Sequence, residues 1–337
     1  MSSAVLTLNP TPRKNYTIPS ITPELVGLEP KIFQPIREAV GFLKDTIRFP
    51  DSSIPKERRP STEQHTISAI HRANELLSKT LDPKTITSVL RRIIIHDFDE
   101  VIGREFHAVS TQANGSAVKD MKTFGELTEK IALNTILVAL LNADPDVNAP
   151  ASSTTHQAKK AFPSLEEFVH GLRHEIQDIT DNDLGVTTLN KYFEKPEIKA
   201  GLNPEWLSPD YRKAFENLKS DYISMESNPK EQDSFSSLIG KLLEKWDGII
   251  TVNSSGLDEQ NPTPSYFHEE KTKEARASEL SYTTSVMNRM VDIRNTFNML
   301  IDYTKGLLQE SLNWMSKADG KNYRIEDFPQ QLGWMKN

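Results

Sequence analysis

The stretch RRIIIHDFDEVIGREFH, residues 91–107, sets the problem this chain poses. Three consecutive isoleucines, Ile93–Ile95, belong in a protein interior. The same stretch then delivers His96, Asp97, Asp99 and Glu100. Ionised carboxylates are rarely buried without a partner, because removing a charge from water costs more than local packing returns. Either the segment turns abruptly to the surface, or positive charge meets those side chains. Upstream, Asp82-Pro83 supplies a side-chain cap and a proline at the first helical position. Ile86, Val89, Leu90, Ile93 and Ile94 then recur at helical spacing. The spacing predicts an apolar helix that ends on a His-Asp pair, with Gly103 as the stop.

Working outward, helical periodicity recurs and strand alternation is nearly absent, so the fold class expected is all-α. One helix is expected over about 34–47, and a second from Ser61, where Ser61 and Gln64 form a capping-box pair. A fourth occupies about 117–142. Proline, serine and threonine mark a linker from about 143, followed by helical pieces over 164–180, 209–225 and 234–246. A long helical stretch runs from about 269 to 318. The organisation expected is an arm over 1–30, a helical core of 31–142 plus 269–318, a helical insertion over 143–268 and a tail over 319–337.

The 337 residues can bury a sizeable core. A net charge of -7 argues against binding the phosphate backbone of nucleic acid as the main activity. With no cysteine, disulfides, thiolate metal sites and cysteine nucleophiles are excluded, and a reducing compartment fits. No apolar run approaches the length of a membrane span, and the N-terminal residues lack a signal-peptide pattern. The expectation is a cytoplasmic protein without membrane or nucleic-acid partners, with self-assembly left open.

His65 lies near the start of its helix, and 31 residues later His96-Asp97 closes another. Imidazole nitrogen with carboxylate oxygen and no sulfur suits one divalent ion (Mn, Co, Mg, Fe or Zn) in roughly octahedral geometry. A fourth ligand is expected from a distant helix. Asp292 fits, beside the apolar face of Val286, Met290, Ile293, Phe297 and Leu300; the bland alternative pairs it with Arg289 or Arg294. His170 and His174 share zinc-compatible spacing, but no third ligand accompanies them.

One His, an adjacent His-Asp and a late Asp on a helix resemble the HD-domain metal-dependent phosphohydrolases, and within them the bacterial HD-domain 5'-deoxynucleotidases. Arg48-Phe49-Pro50 resembles their Arg-Trp-Pro substrate motif. Arg59, then Thr62-Glu63 and His65, resemble their Arg-Thr-Glu run into the first histidine. HDFDEVIGREF resembles their His-Asp-x-x-Glu-Val-x-x-x-Asp, which sets Glu100 on the glutamate of acid chemistry and Glu105 on the following aspartate. Phe49, Gln64 and Glu105 depart from the family residues, which are Trp, Glu and Asp. The resemblance implies metal held by His65, His96, Asp97 and Asp292, with Glu100 and Glu105 in catalysis. It also implies substrate contacts from Arg48, Phe49 and Arg59. The reaction implied is hydrolysis of a small phosphorylated substrate, a nucleotide phosphomonoester. A cyclic nucleotide, a nucleoside triphosphate or an alarmone is the alternative substrate. A degenerate helical scaffold that binds a protein partner is the alternative function.

Overall fold

The computed structural model describes residues 20–48, 59–79, 81–103, 121–148, 162–176 and 186–226, with a few isolated positions beyond. The fold is mostly helical, and no strand or sheet occurs among the described residues. The helices are α1 (Pro23–Val26), α2 (Pro30–Gly41), α3 (Thr62–Leu77), α4 (Pro83–Ile95), α5 (Met121–Ala143), α6 (Leu165–Glu175), α7 (Val186–Glu194), α8 (Pro196–Gly201) and α9 (Pro209–Glu226). Short 3-10 helices cover Phe42–Asp45, Phe98–Ile102 and Pro204–Trp206.

Local chemistry sets the helix starts. Ser61 and Gln64 close a reciprocal capping box at α3: Gln64 N–H donates to Ser61 Oγ at 3.2 Å, and Ser61 N–H donates to Gln64 Oε1 at 3.0 Å. At α4 the Asp82 carboxylate accepts from Thr85 N–H at 3.0 Å, with Pro83 in the first turn. Ser164 and Glu167 repeat the capping box at α6.

Helix α4 answers the first half of the opening question. Ile93, Ile94 and Ile95 are all fully buried. Consecutive residues step about 100° around a helix, so three in a row sweep roughly 200° of its surface. Burying that arc requires neighbours on several sides, and α4 packs against α1, α2, α3 and α9. Each isoleucine so buried contributes about 1.5–3 kcal/mol. Helix α5 is the other central element: Ile131, Ala132, Ile136, Leu137, Val138, Ala139, Leu140 and Leu141 are buried on all its faces. It packs against α2, α6, α7, α9 and the Phe98–Ile102 turn.

Two differences from expectation have physical causes. The helix expected over 34–47 starts earlier, at Pro30, and α2 ends at Gly41 before tightening into the Phe42–Asp45 turn. Thr46 is then extended, because this segment pairs with the entry to α3: Thr62 N–H donates to Thr46 O at 2.8 Å and Arg48 N–H to Pro60 O at 3.0 Å. Within the stretch expected as an arm, residues 20–29 are packed. Thr22 caps α1, Val26 is fully buried and Ile21 nearly so, and α1 lies on α4.

The described part of the 143–268 stretch shares one apolar core with the first half. Helix α9 packs on α4 and α5, and Asp221 pairs with both Arg91 and Arg92. Asp144, at the end of α5, accepts from the Ser208 amide at 2.7 Å and from its hydroxyl at 3.0 Å, which fixes where α9 begins. Residues 269–318, the expected second part of the core, lie outside the described residues apart from Asn313.

Candidate metal centre

The second half of the opening question is answered where α4 stops. His96 still has helical backbone angles, but Asp97 leaves them, at φ -99° and ψ 18°. The chain does not turn out to solvent. It tightens into the Phe98–Ile102 turn, whose Phe98, Glu100, Val101 and Ile102 are all buried, and closes on Gly103 at φ +86°, a left-handed position that suits glycine. Asp97 and Glu100 are therefore carried inward on one face of that turn, where Glu100 N–H donates to Asp97 O at 2.9 Å.

Positive charge and imidazole meet them there. His65 and His96 are 1% and 3% exposed, and their ring centroids lie 5.6 Å apart. Asp97 Oδ2 is 3.0 Å from His96 Nε2 and 3.9 Å from His65 Nε2. One ligand atom from each of the three residues lies within 4.8 Å of the others. Arg48, whose side chain is 8% exposed, brings a guanidinium nitrogen to 3.7 Å from the same carboxylate oxygen. Burial by itself would raise the Asp97 carboxyl. The adjacent His96 imidazole, then His65 and Arg48, hold it instead well below the usual carboxylate range.

The donor set fits a divalent cation. His96 Nδ1 is 2.6 Å from the Ile93 carbonyl. A carbonyl can only accept, so Nδ1 carries a proton in either charge state of the ring, and Nε2, which faces Asp97, is the nitrogen that would take a metal ion once deprotonated. This is the second-partner arrangement that fixes tautomer and orientation in metal-binding histidines. Asp97 Oδ2 accepts no aligned hydrogen bond among the described residues, despite its 3.0 Å approach to His96 Nε2. With bonds of about 2.1 Å, neighbouring ligands of an octahedral ion lie about 3.0 Å apart and opposite ones about 4.2 Å. The two distances from Asp97 Oδ2 fall within that range.

Glu100, 7% exposed, is tied at both ends. Thr46 Oγ1 donates to its carbonyl at 2.7 Å, and Thr62 Oγ1 donates to its carboxylate at 2.8 Å. The turn that carries it is gripped from α6 by Arg173. That guanidinium donates to Val101 O at 2.8 Å, to Phe42 O at 2.7 Å and to Asp45 at 2.8 Å. Arg173 thus braces both 3-10 turns that flank the cluster.

The structure brings together His65, His96, Asp97 and Arg48, with Glu100 one turn beyond. Arg59 stands half-buried just before the Pro60–Thr62 pairing segment. Phe49, Glu105 and Asp292 lie outside the described residues. His170 is exposed on α6 and belongs to no ligand cluster among the described residues. Thr46 and Arg173 carry no sequence signal as site residues. Thr62 belongs to the Arg59–His65 run that resembles the family motif, and it stands three positions before His65 on the same helical face.

No family model matches the chain, and no curated protein and no solved structure matches it. No helix among the described residues is long and apolar enough to cross a membrane.

Proposed function

We propose that this chain is a metal-dependent phosphohydrolase of the HD type, acting in the cytoplasm on a nucleotide phosphomonoester. The observation that carries the reading is the convergence of His65, His96 and Asp97 within 4.8 Å, with buried Arg48 beside them. Its second support is the resemblance of the His-Asp-x-x-Glu run and the Arg48-Phe49-Pro50 motif to that family.

His65, His96 and Asp97 would hold one divalent ion, with Asp292 the fourth ligand proposed on sequence grounds. Such an ion, when bound, lowers the pKa of a coordinated water and polarises a phosphoryl oxygen. Phosphoryl transfer needs positioning and charge neutralisation more than a protein nucleophile, and the chain supplies both. Arg48 offers a fixed positive charge to the phosphate oxygens, and on the family resemblance Phe49 and Arg59 would contact the substrate. Glu100 moves the proton, from the attacking water or to the leaving ribose oxygen, with Glu105 in support.

The test begins with elemental analysis of the purified full chain. Phosphate release is then followed from nucleoside mono-, di- and triphosphates and cyclic nucleotides with Mn, Co, Mg, Fe and Zn. Stoichiometric metal with turnover of monophosphates is expected, and His65→Ala and Asp97→Ala should lose both. Metal without turnover of any nucleotide would point to the scaffold alternative. Failure to bind any of the five ions would overturn the reading.

A further inference from the structure

We propose that Thr62 is a positioning residue that aims the Glu100 carboxylate at the metal cluster. The inference rests on the phosphohydrolase reading for its catalytic consequence, and on geometry for the positioning itself.

Thr62 is fully buried and its hydroxyl lies 2.8 Å from Glu100 Oε2. The hydroxyl has one proton and two acceptors in range, the second being Thr46 O at 3.4 Å. The carboxylate is both nearer and charged, so it takes the proton. The buried threonines in helix interiors behave differently. Thr66 and Thr135 turn their hydroxyls back onto the carbonyl four residues earlier in their own helices, at 2.9 and 2.8 Å. Thr62 stands in the first turn of α3, where its side chain can cross to another element.

The crossing matters because of what stands beside it. Thr62 and His65 are three apart on α3, and Glu100 and Asp97 are three apart on the 3-10 turn. Thr62–Glu100 and His65–Asp97 are thus two rungs of a single contact between these elements. The 2.8 Å rung sets how far the carboxylate sits from the 3.9 Å rung that carries ligand atoms. The Thr46 hydroxyl fixes the Glu100 backbone at 2.7 Å, so Thr62 acts on the direction of the side chain.

The variants are Thr62→Val, which keeps the shape and removes the hydroxyl, and Thr62→Ser, which keeps the hydroxyl. Both are made in the full chain and compared with Glu100→Gln. Losing one hydrogen bond to a charged group is expected to lower kcat about 10- to 100-fold in Thr62→Val. KM and Mn affinity should stay within about threefold. Thr62→Ser should recover most of the rate, and Thr62→Val should cost nothing further in a Glu100→Gln background. An unchanged kcat in Thr62→Val, or an equal loss in Thr62→Ser, would overturn the proposal. So would a loss of Mn affinity matching the loss of rate, which would make the role structural.

A second readout needs no turnover. The carboxyl-carbon NMR signal of Glu100, assigned by its disappearance in Glu100→Gln, should move in Thr62→Val and hold in Thr62→Ser. A signal that stays put in Thr62→Val sinks the positioning claim whatever the substrate. A signal that moves, in a protein that hydrolyses no nucleotide, would leave the positioning standing and retire the phosphohydrolase reading.

Discussion

Replacing Asp221 by Ala should be among the most damaging single changes outside the His65, His96 and Asp97 cluster, and the reason is electrostatic. The Asp221 side chain is 5% exposed and sits between Arg91 and Arg92, which are 27% and 11% exposed. Burial pushes the Arg92 guanidinium below its ordinary value, Asp221 opposes that, and Arg91 adds to it. A guanidinium cannot shed its proton, so removing Asp221 leaves a charge in the interior with only neutral partners. Those partners are not trivial: Arg92 also donates to Ser88 O at 2.8 Å, Ser88 Oγ at 2.6 Å and Ser237 Oγ at 2.9 Å. Arg91, more exposed, can swing toward water. Breaking a buried pair typically costs about 3–5 kcal/mol, and the surviving hydrogen bonds set the expectation at the lower end, about 3 kcal/mol. Guanidinium chloride unfolding of the full chain, followed by circular dichroism, measures this as a fall in midpoint at constant slope. The double variant Asp221→Leu, Arg92→Met removes both charges and should return to within about 1 kcal/mol of the parent. A cost below about 1 kcal/mol for Asp221→Ala, or a double variant no better than the single, would refute the reasoning.

Two further outcomes follow from the geometry. Mn at about 100 times its dissociation constant should stabilise the protein by about 2.7 kcal/mol, seen as a rise in melting temperature that Asp97→Asn abolishes. Because Asp97 is held below the usual carboxylate range, it stays ionised on mild acidification, while coordination needs neutral imidazoles. The Mn-dependent rise should therefore shrink as pH falls from 8 to 5.5. The separate contribution of Asp97 to the metal-free fold is present above its unfolded value of about 3.9 and is lost only as pH falls below it. Differential scanning fluorimetry across pH checks both, and an equal Mn response in Asp97→Asn would dispose of the ligand assignment. At the α6–α7 contact, a Cβ on Gly171 would meet the Tyr192 hydroxyl at 2.7 Å. Gly171→Ala should cost about 1–3 kcal/mol by overpacking, and adding Tyr192→Phe should recover most of it. No recovery in denaturant melts would mean the clash is relieved elsewhere.

What could be read from the chain was local chemistry. Ser61/Gln64 and Asp82-Pro83 announced two helix starts, because a cap needs residues only three positions apart. The isoleucine run announced burial, and the His-Asp pair at its end announced a carboxylate carried into the interior beside an imidazole. What could not be read depended on contacts distant in sequence. The pairing of Thr46–Arg48 with Pro60–Thr62 has no periodic signature, yet it brings Arg48 to Asp97 and ends α2 early. Arg173 reaches the site's turns from about 70 residues downstream of Val101. The Asp221 link spans 130 residues. Helices α7 and α8 are short and divided by Pro196, too brief for a spacing signal to build up.

Helix α5 carries a consequence for how the chain can be cut or rearranged. A rod greasy on every side has no stable existence at a water boundary, so whatever wraps it must arrive with it. A fragment ending after residue 148 would strip away α6, α7 and α9, three of the elements packed on α5, and expose part of its apolar surface. Such a fragment should aggregate rather than survive as a smaller, working protein. The later helices thus serve as a sheath for the middle of the molecule, and engineering that spares the site must still leave the sheath whole.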